Sequence, residues 1–337
     1  MSRIIERFGM SGHLKKSQTG LLAIVALCLA TGSPSVRRAD GNEKEGSTAQ
    51  QEQSKAERAA RLEAMRRRAA SLTAKVQNAK DELFVDSELV DPPLLTYNNH
   101  ANVELDATLW AWGKTGRPIA IAAIHEDRGP KNVWSCEMVS LADQPVSIAA
   151  KPGWEWTPAN SGIAWKTVPA APAVGKTAVA RSAQIKDIAN RFSSTGHYRN
   201  GNIIELRLMG RPLHRYADPE KGLVDGALLA FVEGTNPETM LLIECRSDNE
   251  EKPTWHYGFA RMSGGHLIAR LEDTVVWECP DIRGFDPERP YSSYNGPEGI
   301  VFGTFTDPPS PTDNLQLPNK IRNPNSEIPN SSSCASC

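Results

Sequence analysis

No hydrophobic run in this chain is long enough to cross a bilayer as a helix: the best, Leu21 to Ala30, would rise only about 15 Å against a hydrocarbon thickness of about 30 Å. A surplus of either charge is also missing. The formal net charge of −2 and pI of about 6.4 leave no global basic field to draw in a nucleic acid. The seven histidines form no H-x-x-x-H or H-E-x-x-H pair, so no local zinc signature exists and no metal or other cofactor is expected. No G-x-S-x-G elbow occurs, and no Ser, His and Asp set has the spacing of a triad. The nearest approach to a phosphate loop, Ala170 to Thr177, has Ala in place of the first Gly. Pro169 and Pro172 remove two of the N–H donors such a loop needs. Thr177 reads better as a helix N-cap.

What is present begins with an address label. Arg3, Arg7, Lys15 and Lys16 precede the short apolar run, small residues and Pro34 follow it, and Ala30 and Gly32 stand at the spacing of a cleavage site before Ser33. Residues 1–32 are therefore expected to be a signal peptide, and the mature protein to be periplasmic or secreted with no membrane span of its own. An uncleaved N-terminal anchor is the alternative. Leu27 before Cys28 does not fit a lipoprotein signal. Export permits disulfides, but Cys136, Cys245, Cys279, Cys334 and Cys337 are an odd set. The first three lie in strand-like runs and read as packing thiols. Cys334-Ala-Ser-Cys337 has C-x-x-C spacing without the His of a haem site or the βαβ context of a thioredoxin site.

Residues 33–53 are polar and read as a flexible linker. Leu62, Met65, Ala69, Leu72, Val76, Ala79 and Leu83 recur at spacings of three and four, which predicts an amphipathic helix over 54–83. Its stripe would dock on the body or zip against a second copy, and Arg66 to Arg68 would form a solvated face. Residues 306–337 are rich in Pro, Asn and Ser and read as a disordered tail.

Between these ends an internal similarity appears. Pro93 to Ile124 overlays Pro212 to Ile243 without a gap at an offset of 119 residues. Pro93, Leu94, Tyr97, Asp106, Leu109, Ala111, Pro118 and Ile124 coincide with the same residue types, and Trp112 meets Phe231. Each stretch reads as strand, turn, strand, with GKTGRP and EGTNP as the connections. Both run on to a tryptophan-bearing strand, at Trp156 and Trp277. A second helix is expected over Thr177 to Ser193, with Val179, Ile185, Ile188, Ala189 and Phe192 on one face. The fold class is therefore α+β: antiparallel meanders with packed helices, read as a duplication with a first half at 84–168 and a second at 169–305, the alternative being two meanders that share only their turn chemistry.

The runs TGRPIAI, ELRLMGRPLHRY, DGALLAFVEGTNPETMLLIE and WHYGFARM carry a resemblance to a set of uncharacterised exported proteins of planctomycete bacteria. The resemblance implies a folded exported domain and assigns no activity.

Two segments are candidate binding sites. KPGWEWTPANSGIAWK places Trp154 and Trp156 on one face of an extended chain with Trp165 beyond, a set expected to pack as the largest apolar groups of the β-core or, where exposed, to stack on a glycan or a partner protein. His125, Glu126 and Asp127 close a predicted strand where a ligand could approach. The leading expectation is a non-catalytic binding or interaction module with a protein or glycan partner. The alternatives are a secreted hydrolase assembled from distant loops and a scaffold that homodimerises through the 54–83 helix.

Overall fold

In the computed structural model the described residues are 42–98, 106–126, 134–150, 153–198, 201–247, 252–282 and 284–294. The expected signal peptide and tail, Cys334, Cys337 and Asp127 lie outside them.

The first helix, α1 (Asn42–Ser71), begins inside the segment expected to be a linker and ends well short of Leu83. Its first residues, NEKEGSTAQQEQ, are too polar for a core, but Glu, Lys, Gln and Ala are good helix formers, so polarity did not imply an irregular chain. At the other end a different period wins. Val76 falls on the helical stripe four residues after Leu72, but it also alternates with Leu72 and Ala74, and strand β1 (Thr73–Gln77) takes Ala74 and Val76, with Ala74 buried. Met65, Ala69 and Leu72 pack into the body, so the stripe is not free to zip against a second copy. Arg68 departs from the solvated face expected for it. It is buried, with its guanidinium carbon 3.7 Å from the Trp134 ring centroid and Nη1 donating to the Ala64 carbonyl at 3.1 Å.

After β1 the first half continues through β2 (Phe84–Ser87), β3 (Leu89–Tyr97), β4 (Ala107–Trp112), β5 (Ala120–Glu126), β6 (Trp134–Ser140), β7 (Val146–Ala150) and β8 (Trp154–Trp156). Strand β9 (Lys166–Thr167) follows, then helix α2 (Ala178–Ala189). Thr177 caps α2 as expected: its backbone is extended and its hydroxyl accepts from the Ala180 N–H at 3.1 Å. Ile185, Ile188 and Ala189 face the core. Val179 is instead 82% exposed, and Phe192, though buried, belongs to the next strand.

The second half runs through β10 (Phe192–His197), β11 (Ile203–Leu208), β12 (His214–Asp218), β13 (Leu223–Glu233), β14 (Asn236–Arg246), β15 (Thr254–Arg261), β16 (His266–Leu271) and β17 (Thr274–Cys279), and β18 (Tyr291–Tyr294) closes the described chain. All described strand pairs are antiparallel.

The two halves use one order and one register. β3 pairs β4 as Leu95–Leu109, Thr96–Thr108 and Tyr97–Ala107, and β12 pairs β13 as His214–Leu228, Arg215–Ala227 and Tyr216–Gly226. β4 pairs β5 from Ala107–His125 to Trp112–Ala120, and β13 pairs β14 from Gly226–Glu244 to Phe231–Thr239. Every one of these partners differs by the offset of 119. The order β2-β1-β7-β8 likewise recurs as β11-β10-β16-β17, and in it Ile148 faces Trp156 as Ala269 faces Trp277. Since a slip of one residue would turn every side chain to the other face, the agreement reaches side-chain direction.

That direction decides the core. In β4, Leu109 and Ala111 face the second half, while Trp110 and Trp112 face α1 and the β1 sheet. In β13, Leu228 and Ala230 face the first half, while Leu229 and Phe231 face α2. The two meanders thus pack face to face, and each carries a helix and a curled-over sheet on its outer side. With both faces covered, β4 and β13 read as near-continuous apolar runs. Inside each half a buried acid ties the meander to arginines: Asp106 accepts from Arg58 and Arg61 at 2.9 Å, and Asp225 accepts from Arg181 at 2.9 Å and Arg215 at 2.5 Å.

Candidate functional site

The three tryptophans do not form an open face. Trp154 and Trp156 do share one side of β8, but that side is turned into the first-half core. Trp156 is fully buried and its indole N–H donates to the Arg289 carbonyl at 2.9 Å. Trp154 is half-buried beside Phe285, with ring centroids 6.3 Å apart. Trp165 lies just before β9 and packs on the core between the halves. Indoles are the largest apolar groups available to this sheet, and burying them stabilises more than stacking them on a ligand.

His125 is buried at the end of β5, where its backbone faces Ala107 on one side and Ser135 on the other. The Glu126 side chain and the whole of Asp127 lie outside the described residues. Among the described residues the histidines are not gathered into one site. His197 and His266 do meet, directly opposed across β10 and β16 with ring centroids 5.0 Å apart, and His266 Nε2 lies 2.9 Å from Glu278 Oε1. They stand on an open sheet face. His256 is elsewhere, on β15, beside Thr254. Among the described residues no group of three or more His, Cys, Asp and Glu is arranged to hold a metal ion.

The most built polar cluster surrounds Trp165, and no local motif announces it. Glu244 in β14 is 1% exposed and accepts from the Tyr216 hydroxyl at 2.9 Å and from Arg246 Nε at 2.7 Å. Arg117, from the β4–β5 connection of the first half, reaches the same carboxylate with Nε 3.1 Å away. Its Nη1 donates to the Leu141 carbonyl at 2.8 Å and its Nη2 to Asp143 at 2.8 Å. The Trp165 ring takes both guanidiniums, with the Arg246 carbon 3.9 Å and the Arg117 carbon 4.9 Å from its centroid. Burial works against ionising Asp143, but the hydrogen bonds and charge of Arg117 outweigh it and lower the carboxyl pKa. Burial, then the neighbouring Glu244, pushes the Tyr216 phenol well above its ordinary value. Two cations meet two anions here. The cluster is therefore charge-balanced by its own members, and it cross-links the halves.

A second set lies on the same inter-half face. The Tyr291 hydroxyl of β18 donates to Glu137 of β6 at 3.0 Å, and Arg261 of β15 stands 5.3 Å from the Tyr291 ring centroid. A single acid inside an apolar run, as in LLIEC around Glu244, is the sequence signal that marks such a place. It demands a buried cation without saying which one. Comparison with protein-family models, with curated proteins and with solved structures finds no match to this chain.

Proposed function

We propose that the chain is an exported, non-catalytic interaction module whose two halves arose by duplication. Duplication is supported by the common register of β3–β5 and β12–β14 and by the matching placement of Trp156 and Trp277. The observation that carries the interaction reading is an apolar ridge at the start of β2. Leu83, Phe84 and Val85 are 65%, 45% and 51% exposed, and β2 ends the order of its sheet. Consecutive strand residues point to opposite faces, so exposure of both Phe84 and Val85 means both faces are open there. An exposed apolar edge of this kind templates strand addition, which natural proteins otherwise suppress with charges. The occupant it fits is an extended apolar segment of a partner protein laid along β2, not a glycan, since the tryptophans that would stack on sugars face the core. The corresponding residue of the second half, Ile203 at the start of β11, is 63% exposed.

A photo-cross-linking residue placed at Phe84 in the producing cell should yield one discrete adduct, and the adduct should vanish when Val85→Asp is added. The same residue at the exposed Val179 of α2 should yield none. Equal adducts at both positions, or none at Phe84, would refute the reading.

A further inference from the structure

The two halves do more than resemble each other; each supplies a strand to the other. β9, at the end of the first half, pairs with β15 of the second, as His256–Thr167 and Tyr257–Lys166. β18, near the end of the second half, pairs with β6 of the first, as Tyr294–Cys136 and Ser293–Glu137. Through β6 and β15, Lys166 and Tyr294 occupy equivalent places. The connections leaving Trp156 and Trp277 are thus a pair of arms crossing in opposite directions.

Contacts between the halves are reciprocal in the same sense. The Gly116 N–H donates to the Ala217 carbonyl at 3.2 Å, and the Thr235 hydroxyl donates to the Asn98 carbonyl at 2.5 Å. Gly116 and Thr235 are one offset apart, as are Asn98 and Ala217. A hairpin tip on each half therefore touches the same strand end on the other. Where the arms pass, Thr157 N–H donates to the Pro287 carbonyl at 2.7 Å. Gly162 meets its own counterpart, Pro290, closely enough that a Cβ at Gly162 would lie 3.3 Å from the proline ring. Residue i touching j while the equivalent of j touches the equivalent of i is the signature of a two-fold, self-complementary interface, and equivalents touch each other only near its axis.

We infer that the boundary between the halves is an arm-exchanged dimer interface closed within one chain, and that the partner it fits is another polypeptide of this same fold. The duplication reading underlies the inference, but the interface is tested separately from it. The covalent joint is the stretch from Pro169 to Lys176. Among the described residues its hydrogen bonds run to the second half: the Pro169 carbonyl accepts from Arg191 at 2.8 Å and the Ala173 carbonyl from Gln184 at 2.7 Å. Each arm lies on the far side of this joint from the half it completes, so cutting the joint leaves both arms in place.

The test uses the full chain with a protease site inserted after Ala171. Cut under native conditions, it should elute at the mass of the intact protein and melt in one transition. Two differently tagged cut preparations, unfolded, mixed and refolded, should yield doubly tagged pairs in statistical proportion. Separation into two folded pieces, two independent melting transitions, or refolding without pairing would each overturn the inference. The Phe84 adduct would be unaffected by any of these results.

Discussion

Replacing Glu244 with Gln probes the contact that spans the halves most directly. The substitution keeps the shape and one accepting oxygen but removes the charge that Arg117, Arg246 and Tyr216 converge on. Removing one partner of a buried ion pair typically costs about 3–5 kcal/mol, because the remaining charge stays desolvated. Two features set this case at the lower end. Arg117 retains Asp143, and the arginine side chains are 16% and 23% exposed rather than sealed. The expected loss is about 3 kcal/mol, with a coupling of about 1–3 kcal/mol between Glu244→Gln and Arg117→Met in a double-mutant cycle. Urea denaturation of the four proteins measures both quantities. A loss within about 0.5 kcal/mol, the range of ordinary surface substitutions, would show that the cluster does not hold the halves together.

Four further outcomes follow from the same structure. Trp112→Ala and Phe231→Ala, both 1% exposed and at matching strand positions, should each destabilise the protein by about 3–5 kcal/mol in the same titration, and a near-zero loss at either would break the equivalence. Burial raises the thiol pKa of Cys136 and pushes that of Cys245 up to about 11, so both should resist alkylation at neutral pH until the protein unfolds, as mass spectrometry of labelled peptides would record. The lowered Asp143 carboxyl contributes stability above about pH 4 that is lost as pH falls, and the raised Tyr216 and Tyr291 phenols contribute stability below about pH 10 that is lost as pH rises. Melting temperature should therefore peak between these limits, and a maximum below pH 4 would contradict the assignment. On the proposed export, the mature protein should begin at Ser33, and an intact mass retaining Met1 to Gly32 would refute cleavage and favour an anchor.

The sequence was most informative where one rule acted alone. The N-cap at Thr177 and the hairpins flanked by apolar runs are local features, and each stands where local chemistry put it. The offset of 119 was legible because hairpin geometry constrains Gly, Pro and aromatic positions together. Reading failed where two periods fit the same residue, as at Val76, which falls on the helical stripe after Leu72 and alternates with Ala74 in β1. It failed again where polarity was taken for disorder, as at Asn42 to Gln53. The Trp165 cluster lay beyond sequence reasoning for another reason. Arg117, Asp143, Trp165, Tyr216 and Glu244 come from five separate segments, and only the packing of one meander on the other brings them together.

At equivalent positions the halves agree in some places and differ in others. Along the face between the meanders, apolar residues answer apolar ones: Leu109 and Leu228, Ala111 and Ala230, Ile121 and Met240, Ala123 and Leu242. Tyr97 and Tyr216 are also both buried there. Polar positions at the ends do not correspond. Glu244 stands where the first half has His125, Arg117 where the second has Asn236, and Trp165 where the other arm has Ser293. One end of the sandwich is consequently locked by two arginines, two acids and an indole, while on the other arm Tyr291 donates to Glu137. A packed apolar face tolerates best the changes that conserve volume, so on the proposed duplication it is where the likeness of the halves persists. A buried charge must meet a matching partner or stay unpaired, so these differences favour pairing of each half with its counterpart over pairing with a copy of itself. Exchange of whole halves between chains should therefore re-form first-with-second pairs and exclude pairs of two first halves, since the latter would face Arg117 with His125 in place of Glu244.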